Sequence, residues 1–395
     1  MTMQPSDETL SLGNRAARGI LGVDRIYRDE SGDDFGLACL DMSRPGELES
    51  ESFADYSEAT EWWTEFQEDA QRLPEADRRL YYAQLAVSTR AFIEWRTSGL
   101  DFERQLGDFL HVPAAPAADA EIAELCTGIR GLLDGMGFHG DLRAQAQAWE
   151  ERVTVPPEDV PDVLNGLLAE AWERTNERVF PIPADPSDGM RAEAVRDVAY
   201  NARCDYLART IQLNVDPILT RPGLKHLAVH EGYPGHYLQF KLRETWARSG
   251  EAPQDVLLSV VNTASSSVFE GIADAGLDVV GWNDGDEDRL QGLLTRHRAA
   301  IGTGAAWRLH ALGRPRDEVK DWLAGQALIG GDGWVENRLR FIEAPSRAVL
   351  IWSYWWGEQA VAPAWNSIDP ARVHEFVYYL YGRMHSVDSV RLFPG

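Results

Sequence analysis

His230 and His236 stand six residues apart, and Glu231 directly follows the first of them. Histidines bracketing a glutamate are the parts of a zinc hydrolase: imidazoles hold the cation, and the carboxylate takes a proton from water. In the familiar HExxH spacing the histidines are four apart. At about 100° per residue they then share one helical face. Six residues on an ideal helix put them about 120° apart around the axis, too far to meet at one ion. Here Pro234 and Gly235 lie between them. Proline removes a backbone donor, and glycine permits the dihedrals that follow a break. We therefore expect a bulge or tight kink that returns His236 to the side of His230.

Catalytic zinc needs a third protein ligand. Downstream reads Ser267-Val-Phe-Glu270-Gly-Ile-Ala-Asp274. On a helix Glu270 and Asp274 face one side. Their neighbours Val268, Phe269, Ile272, Ala273 and Leu277 are apolar, and buried carboxylates need a cation or a partner. Glu270 completes a His-His-Glu set. Asp274, one turn on, can accept from the free ring nitrogen of a ligand histidine. His226, four residues before His230, shares its helical face and is a weaker alternative ligand. His111, His139, His297, His310 and His374 have no motif around them and read as structural.

An oxyanion needs a donor besides a metal. Tyr354, within the aromatic run 352–356, is the first candidate, ahead of Arg347, Tyr381, Arg383 and His385. If Arg347 or Arg383 faces the cleft, it could hold a substrate carboxylate, which would favour carboxypeptidase or dipeptidase action.

HEGYPGHYLQ followed by FEGIADAG resembles the bacterial "domain of unknown function 885" family, which is itself similar to the zincin metallopeptidases. That family carries HExxPGHxxQ and then an EGWxxYAE-like helix. The first motif matches at His230, Glu231, Pro234, Gly235, His236 and Gln239, and the second at Glu270 and Gly271. The second departs at Ile272, Ala273, Asp274 and Ala275, where the family usually has Trp-Ala-x-Tyr and a further Glu. A C-terminal family pattern is echoed by Pro345, Tyr354 and Gly357. The resemblance spans roughly the second half of the chain. It implies a mostly helical zincin-like fold, a zinc ion and peptidase activity.

Zn2+ at His230, His236 and Glu270, with Glu231 as general base, makes a metallopeptidase acting on peptides the leading expectation. The alternatives are an enzyme acting on a small non-peptide amide or amine, and an Fe(II) oxygenase with a His-His-Glu triad. Such oxygenase sites normally sit on β-barrels, which this sequence does not suggest. A binding protein with a vestigial site is the remaining reading, and the intact His-Glu pair argues against it.

The elements that must position these residues read mostly as helix: about 57–73, 75–96, 121–136, 160–179, 222–233, 236–248, 253–280, 287–312, 316–329, 334–357 and 371–381. The best strand candidate is 206–215. The fold class is mainly α with a small β element. Proline-rich sequence around 181–189 sets an expected boundary near 185, between an N-terminal helical region (1–185) and a zincin-like catalytic region (186–395). Thr220 reads as a helix cap with Pro222 in the first turn.

The chain has 395 residues and a formal net charge of −25, which argues against nucleic acid and polybasic membrane contact. Cys39, Cys126 and Cys204 form neither a disulfide framework nor a thiolate zinc site. No signal-peptide pattern or membrane-length apolar run is present, so a cytoplasmic protein is expected. Oligomeric state is not readable.

Overall fold

The computed structural model describes residues 4–31, 36–184, 189–198 and 200–393. The chain is mainly α-helical with a small β content. Among the described residues five short strands, β1 (Ala38–Asp41), β2 (Arg191–Val195), β3 (Ala202–Asp205), β4 (Thr210–Asn214) and β5 (Leu258–Val260), form two sheets. The chain divides into two compact units interleaved in sequence. One comprises Met1–Ala114, Gln239–Gly271 and Trp356–Gly395, the other Ala115–Leu238 and Ile272–Trp355. The boundary expected near 185 falls at 185–188, outside the described residues, within the stretch assigned to the second unit.

The first unit opens with a helix, Asp7–Ser31, that periodicity did not announce. Its inner face mixes small residues, Gly13, Ala16, Ala17, Gly19 and Gly22, with Leu12, Ile20, Val23 and Tyr27. A Cβ at Gly19 would stand 2.6 Å from the Trp62 ring, so the small face is what lets the aromatics come close. Asp55 caps the next helix, Tyr56–Ala70, by accepting from the amides of Ser57 and Glu58. With Ala76–Thr97 it buries Trp63, Phe66, Tyr81, Tyr82 and Phe92.

The helix expected over 253–280 is interrupted. A short 3-10 turn, Gln254–Leu257, leads into β5, which pairs antiparallel with β1 from Ala38↔Val260 to Asp41↔Leu258. Asn262 then takes a left-handed φ of 54°, and helix resumes only at Ser266–Asp274. The pairing partner lies more than 200 residues upstream, and β-branched residues at 260 and 261 suit a strand once that partner is present.

The second unit packs Asp119–Gly135, Leu142–Val153 and Asp286–His310 around Ile129, Leu133, Trp149, Leu290 and Leu294. Its sheet has the order β2-β4-β3, with β2 parallel and β3 antiparallel to β4. The strand expected at 206–215 starts only at Thr210. Residues 206–209 are a hairpin turn: Asp205 Oδ1 accepts from the Ala208 amide at 3.0 Å, and Arg209 has a φ of 57°. The helix expected over 334–357 is two helices, Gly331–Glu343 and Ile351–Asn366, because Pro345 cannot continue the first. No helix among the described residues is long and apolar enough to cross a membrane.

Candidate metal centre

Thr220 caps the approach to the motif, its Oγ1 accepting from the Gly223 amide at 3.1 Å, with Pro222 in the first turn of Arg221–Leu227. The helix then widens into a π-helical turn, Ala228–Gly232. The Tyr233 amide donates to the Ala228 carbonyl, five residues back, at 3.1 Å. The chain leaves helical geometry through Tyr233 and a cis Tyr233–Pro234 bond, and a new helix, His236–Ser249, begins at the second histidine. The expected break is therefore two devices in series: an extra residue within the turn, then the Pro-Gly step.

Gly235 is required for this. Its amide donates to the Val229 carbonyl at 2.9 Å, and a Cβ there would stand 1.8 Å from the His230 carbonyl oxygen. The outcome is that the His230 and His236 rings meet, with centroids 4.7 Å apart and planes at 81°.

Glu270 and Asp274 lie one turn apart on Ser266–Asp274. The division between the units cuts that helix after Gly271 and cuts His236–Ser249 after Leu238. The backbone of both helices runs unbroken through the cuts. His230, His236 and Glu270 each offer a ligand atom, all within 4.8 Å of one another. A tetrahedral zinc with bonds of about 2.0–2.1 Å sets its donors about 3.4 Å apart. Two imidazoles and one carboxylate within that spread fit such an ion and leave a fourth position open.

His226, His230 and Asp274 form a second group of close donors. Asp274 Oδ1 lies 2.9 Å from His230 Nδ1 and 3.5 Å from His226 Nε2. Burial alone would raise the Asp274 carboxyl, but the His230 and His226 imidazoles carry it well below the usual carboxylate range. A carboxylate on Nδ1 leaves Nε2 of His230 as the metal-facing atom and sets its tautomer. His226 is thus a second partner of Asp274 rather than a member of the His230–His236–Glu270 set.

His230, Glu231 and His236 are all buried, with exposures of 8%, 6% and 6%. Gln239 is fully buried and its Nε2 donates to the Phe269 carbonyl at 3.1 Å, joining its helix to the residue before Glu270. Glu231 has a neighbour that spacing did not reveal. Burial, and next the charge of Glu231, push the Cys204 thiol far upward. Cys204 sits on β3, one of the two edge strands of its sheet, 27 residues before Glu231.

Of the other residues singled out in sequence, Tyr381, Arg383 and His385 fall inside the first unit. Tyr354 is half-buried in the helix Ile351–Asn366. It lies beside Arg338, whose guanidinium is lowered by burial while Tyr354 opposes the shift. Arg347 is half-buried at the start of the turn Ala348–Leu350. Arg383 is spent inside the first unit, its Nη1 donating to Asp77 Oδ2 at 3.0 Å. His385 lies with it, Nε2 2.8 Å from the Tyr379 carbonyl and Nδ1 3.1 Å from Arg78 Nη2. Burial, and then Arg78, hold that imidazole far below its ordinary value, so it is neutral. Tyr381 is buried in the same unit, its hydroxyl pushed up by burial.

No family model matches the chain, and no curated protein matches it. The resemblance named above thus rests on the motif residues. Among solved structures the chain is similar to a protein from Colwellia psychrerythraea described as a candidate lipoprotein, at 15% identity and a TM-score of 0.56, covering 95% of this chain and 74% of that one. It is also similar to a candidate lipoprotein of unknown function from Shewanella oneidensis, at 13% identity and a TM-score of 0.51, covering 88% and 74%. At such identities the likeness speaks to fold alone.

Proposed function

We propose that this chain is a zinc-dependent hydrolase of metallopeptidase type. His230, His236 and Glu270 would hold the ion, and Glu231 is the general base. The observation that carries the reading is the meeting of two imidazoles six apart in sequence, with a carboxylate donor in the same 4.8 Å group. Three donors in that spread suit zinc and are costly to bury otherwise.

A zinc ion held there supplies Lewis-acid polarisation of a carbonyl and lowers the pKa of water. The rest is done by the chain. Glu231, adjacent to the first ligand and 6% exposed, accepts a proton from the attacking water and returns it to the departing amine nitrogen. Asp274 holds the His230 ring through Nδ1, so that ring does not turn during the reaction. Tyr354 remains a proposed donor to the oxyanion. β3, at the edge of its sheet, offers backbone groups along which an extended peptide could lie as an added strand. A cytoplasmic location remains part of the proposal.

Metal analysis beside two variants tests this. Wild type should carry one zinc per chain and cleave peptides. Glu231→Gln should keep the zinc and lose roughly 10²–10⁴-fold in turnover. His236→Ala should lose the zinc. Equal retention in both variants removes His236 from the site, and a zinc-free, inactive wild type removes the reading.

A further inference from the structure

We propose that Arg298 and Arg338 form an anion-binding site in the second unit, for a carboxylate or phosphate group of a small ligand. The site stands apart from the metal reading, because neither arginine belongs to the motif.

Arg298 lies on Asp286–His310 and Arg338 on Gly331–Glu343. Two glycines make room for them. A Cβ at Gly330, whose φ is 86°, would stand 2.5 Å from Arg298 Nη2. A Cβ at Gly302, one turn after Arg298, would stand 3.9 Å from Arg338 Cδ and Nε. Both guanidiniums gather on one indole: Arg298 Cζ is 5.1 Å and Arg338 Cζ 5.6 Å from the centre of the Trp334 ring.

Neither guanidinium has an acceptor. Each Nε is buried and unpartnered. Among the described residues neither arginine makes a side-chain hydrogen bond or lies within ion-pair distance of a carboxylate. Trp334 offers each a π face and no acceptor atom. Arg296, two residues before Arg298, is the contrast, its Nη1 donating to the Trp355 carbonyl at 3.2 Å. Arg298 and Arg338 are also not sealed in. Both side chains are half-buried, and their Nη groups are open to solvent.

The charges around them do not balance the pair. Glu150 is the carboxylate whose charge reaches Arg298, and its Oε2 accepts instead from the Gly330 amide at 3.1 Å. Glu336 pairs with Arg316 and Lys320, and Glu343 with Arg316. Asp332 is exposed, and Asp286, Glu287 and Asp288 stand at least ten residues before Arg298. His297 is held down to about 4, by burial and then by Arg298, and adds no charge at neutral pH. Burial lowers both guanidiniums, Arg298 to about 10, and each arginine opposes the charge of the other. Two like charges thus share a desolvated wall that solvent can enter. An anion there relieves both the repulsion and the unmet donors. A guanidinium fork takes two oxygens of one group in parallel bonds, which selects a carboxylate or phosphate over a halide.

The test is calorimetric titration of the full-length protein with inorganic phosphate and with propionate, and with propionamide as the uncharged control. Wild type should bind an anion and leave propionamide unbound. The anion that binds more tightly names the group the site takes. Arg298→Gln and Arg338→Gln should each weaken it at least tenfold. His236→Ala, zinc-free on the metal reading, should bind it within about twofold of wild type. Loss of binding in His236→Ala means that the anion sits on the metal and overturns the site. So does a wild type that binds neither anion, or binding that both glutamine variants retain. Thermal melts cover a glutamine variant that fails to fold. Arg338→Lys keeps the charge and loses the fork, so the anion should raise its midpoint by less than it raises that of wild type. Equal rises overturn the site. None of these readouts needs turnover, so a failed hydrolase assignment and a failed anion site give different results.

Discussion

Asp274 Oδ1 stands 2.9 Å from His230 Nδ1 and 3.5 Å from His226 Nε2, so one buried carboxylate serves two histidines a helical turn apart. The arrangement separates a ring that faces the candidate metal from a ring that braces the carboxylate.

Removing the brace should loosen the metal without abolishing it. Asp274→Ala should weaken zinc affinity by about 10–100-fold, the range for lost outer partners of a ligand histidine. Asp274→Asn, which keeps an acceptor, should fall closer to wild type. Competition against a chelator of known affinity measures both, and an unchanged affinity in Asp274→Ala removes the bracing role.

His226 discriminates between the two groups of donors. His226→Ala should leave one zinc per chain, with affinity lowered by less than Asp274→Ala causes. Loss of zinc from His226→Ala, together with its retention in His236→Ala, would move the ion to His226, His230 and Asp274.

The Pro-Gly step can be tested by stability. Gly235→Ala forces a Cβ to within 1.8 Å of a backbone oxygen, and backbone cannot swing aside as a side chain can. We expect a loss of about 3 kcal/mol and reduced zinc content. Gly166→Ala is the control. It lies within the helix Val160–Arg178 with nothing near its absent Cβ, and it should be neutral or stabilise by up to about 1 kcal/mol. Denaturant melts of both variants compare them, and equal midpoints would show that Gly235 is not constrained.

Two buried aspartates should act on stability in opposite pH ranges. Burial would raise Asp77, but the guanidiniums of Arg78 and Arg383 hold it down from 3.8 to about 2. Its folded value lies below its unfolded one, so its contribution is present above pH 4 and is lost as pH falls through 2. That is about 2 kcal/mol. Asp255 is raised by burial from 3.8 to about 6. Its folded value lies above its unfolded one, so its contribution is present below pH 4 and is lost as pH rises through 6. Asp255→Asn should therefore gain roughly 3 kcal/mol over wild type at pH 7 and nothing at pH 3. Equal stabilities at pH 7 would mean that Asp255 is not held in a desolvated site.

Much of the site was legible without coordinates because its parts are local. Identity and spacing named His230, Glu231, His236, Glu270 and Asp274, and Pro234-Gly235 announced that the helix must break. The π-helical turn at Ala228–Gly232 was not legible, because no residue type marks where a helix takes up its extra residue. The N-terminal helix was hidden because glycine and alanine on its buried face interrupt the period of Leu12, Ile20, Val23 and Tyr27. The stretch 253–280 read as one helix because its strand pairs with residues far upstream.

The sequence by itself determined which side chains could meet a metal, and that the chain is mainly helical, because bearing along a helix follows from spacing alone. Tertiary structure decided which charged groups are already paired. Arg383 and Asp77, 306 residues apart, join in one interior. Spacing sets which way a side chain points on its own helix. Only packing sets what it finds there.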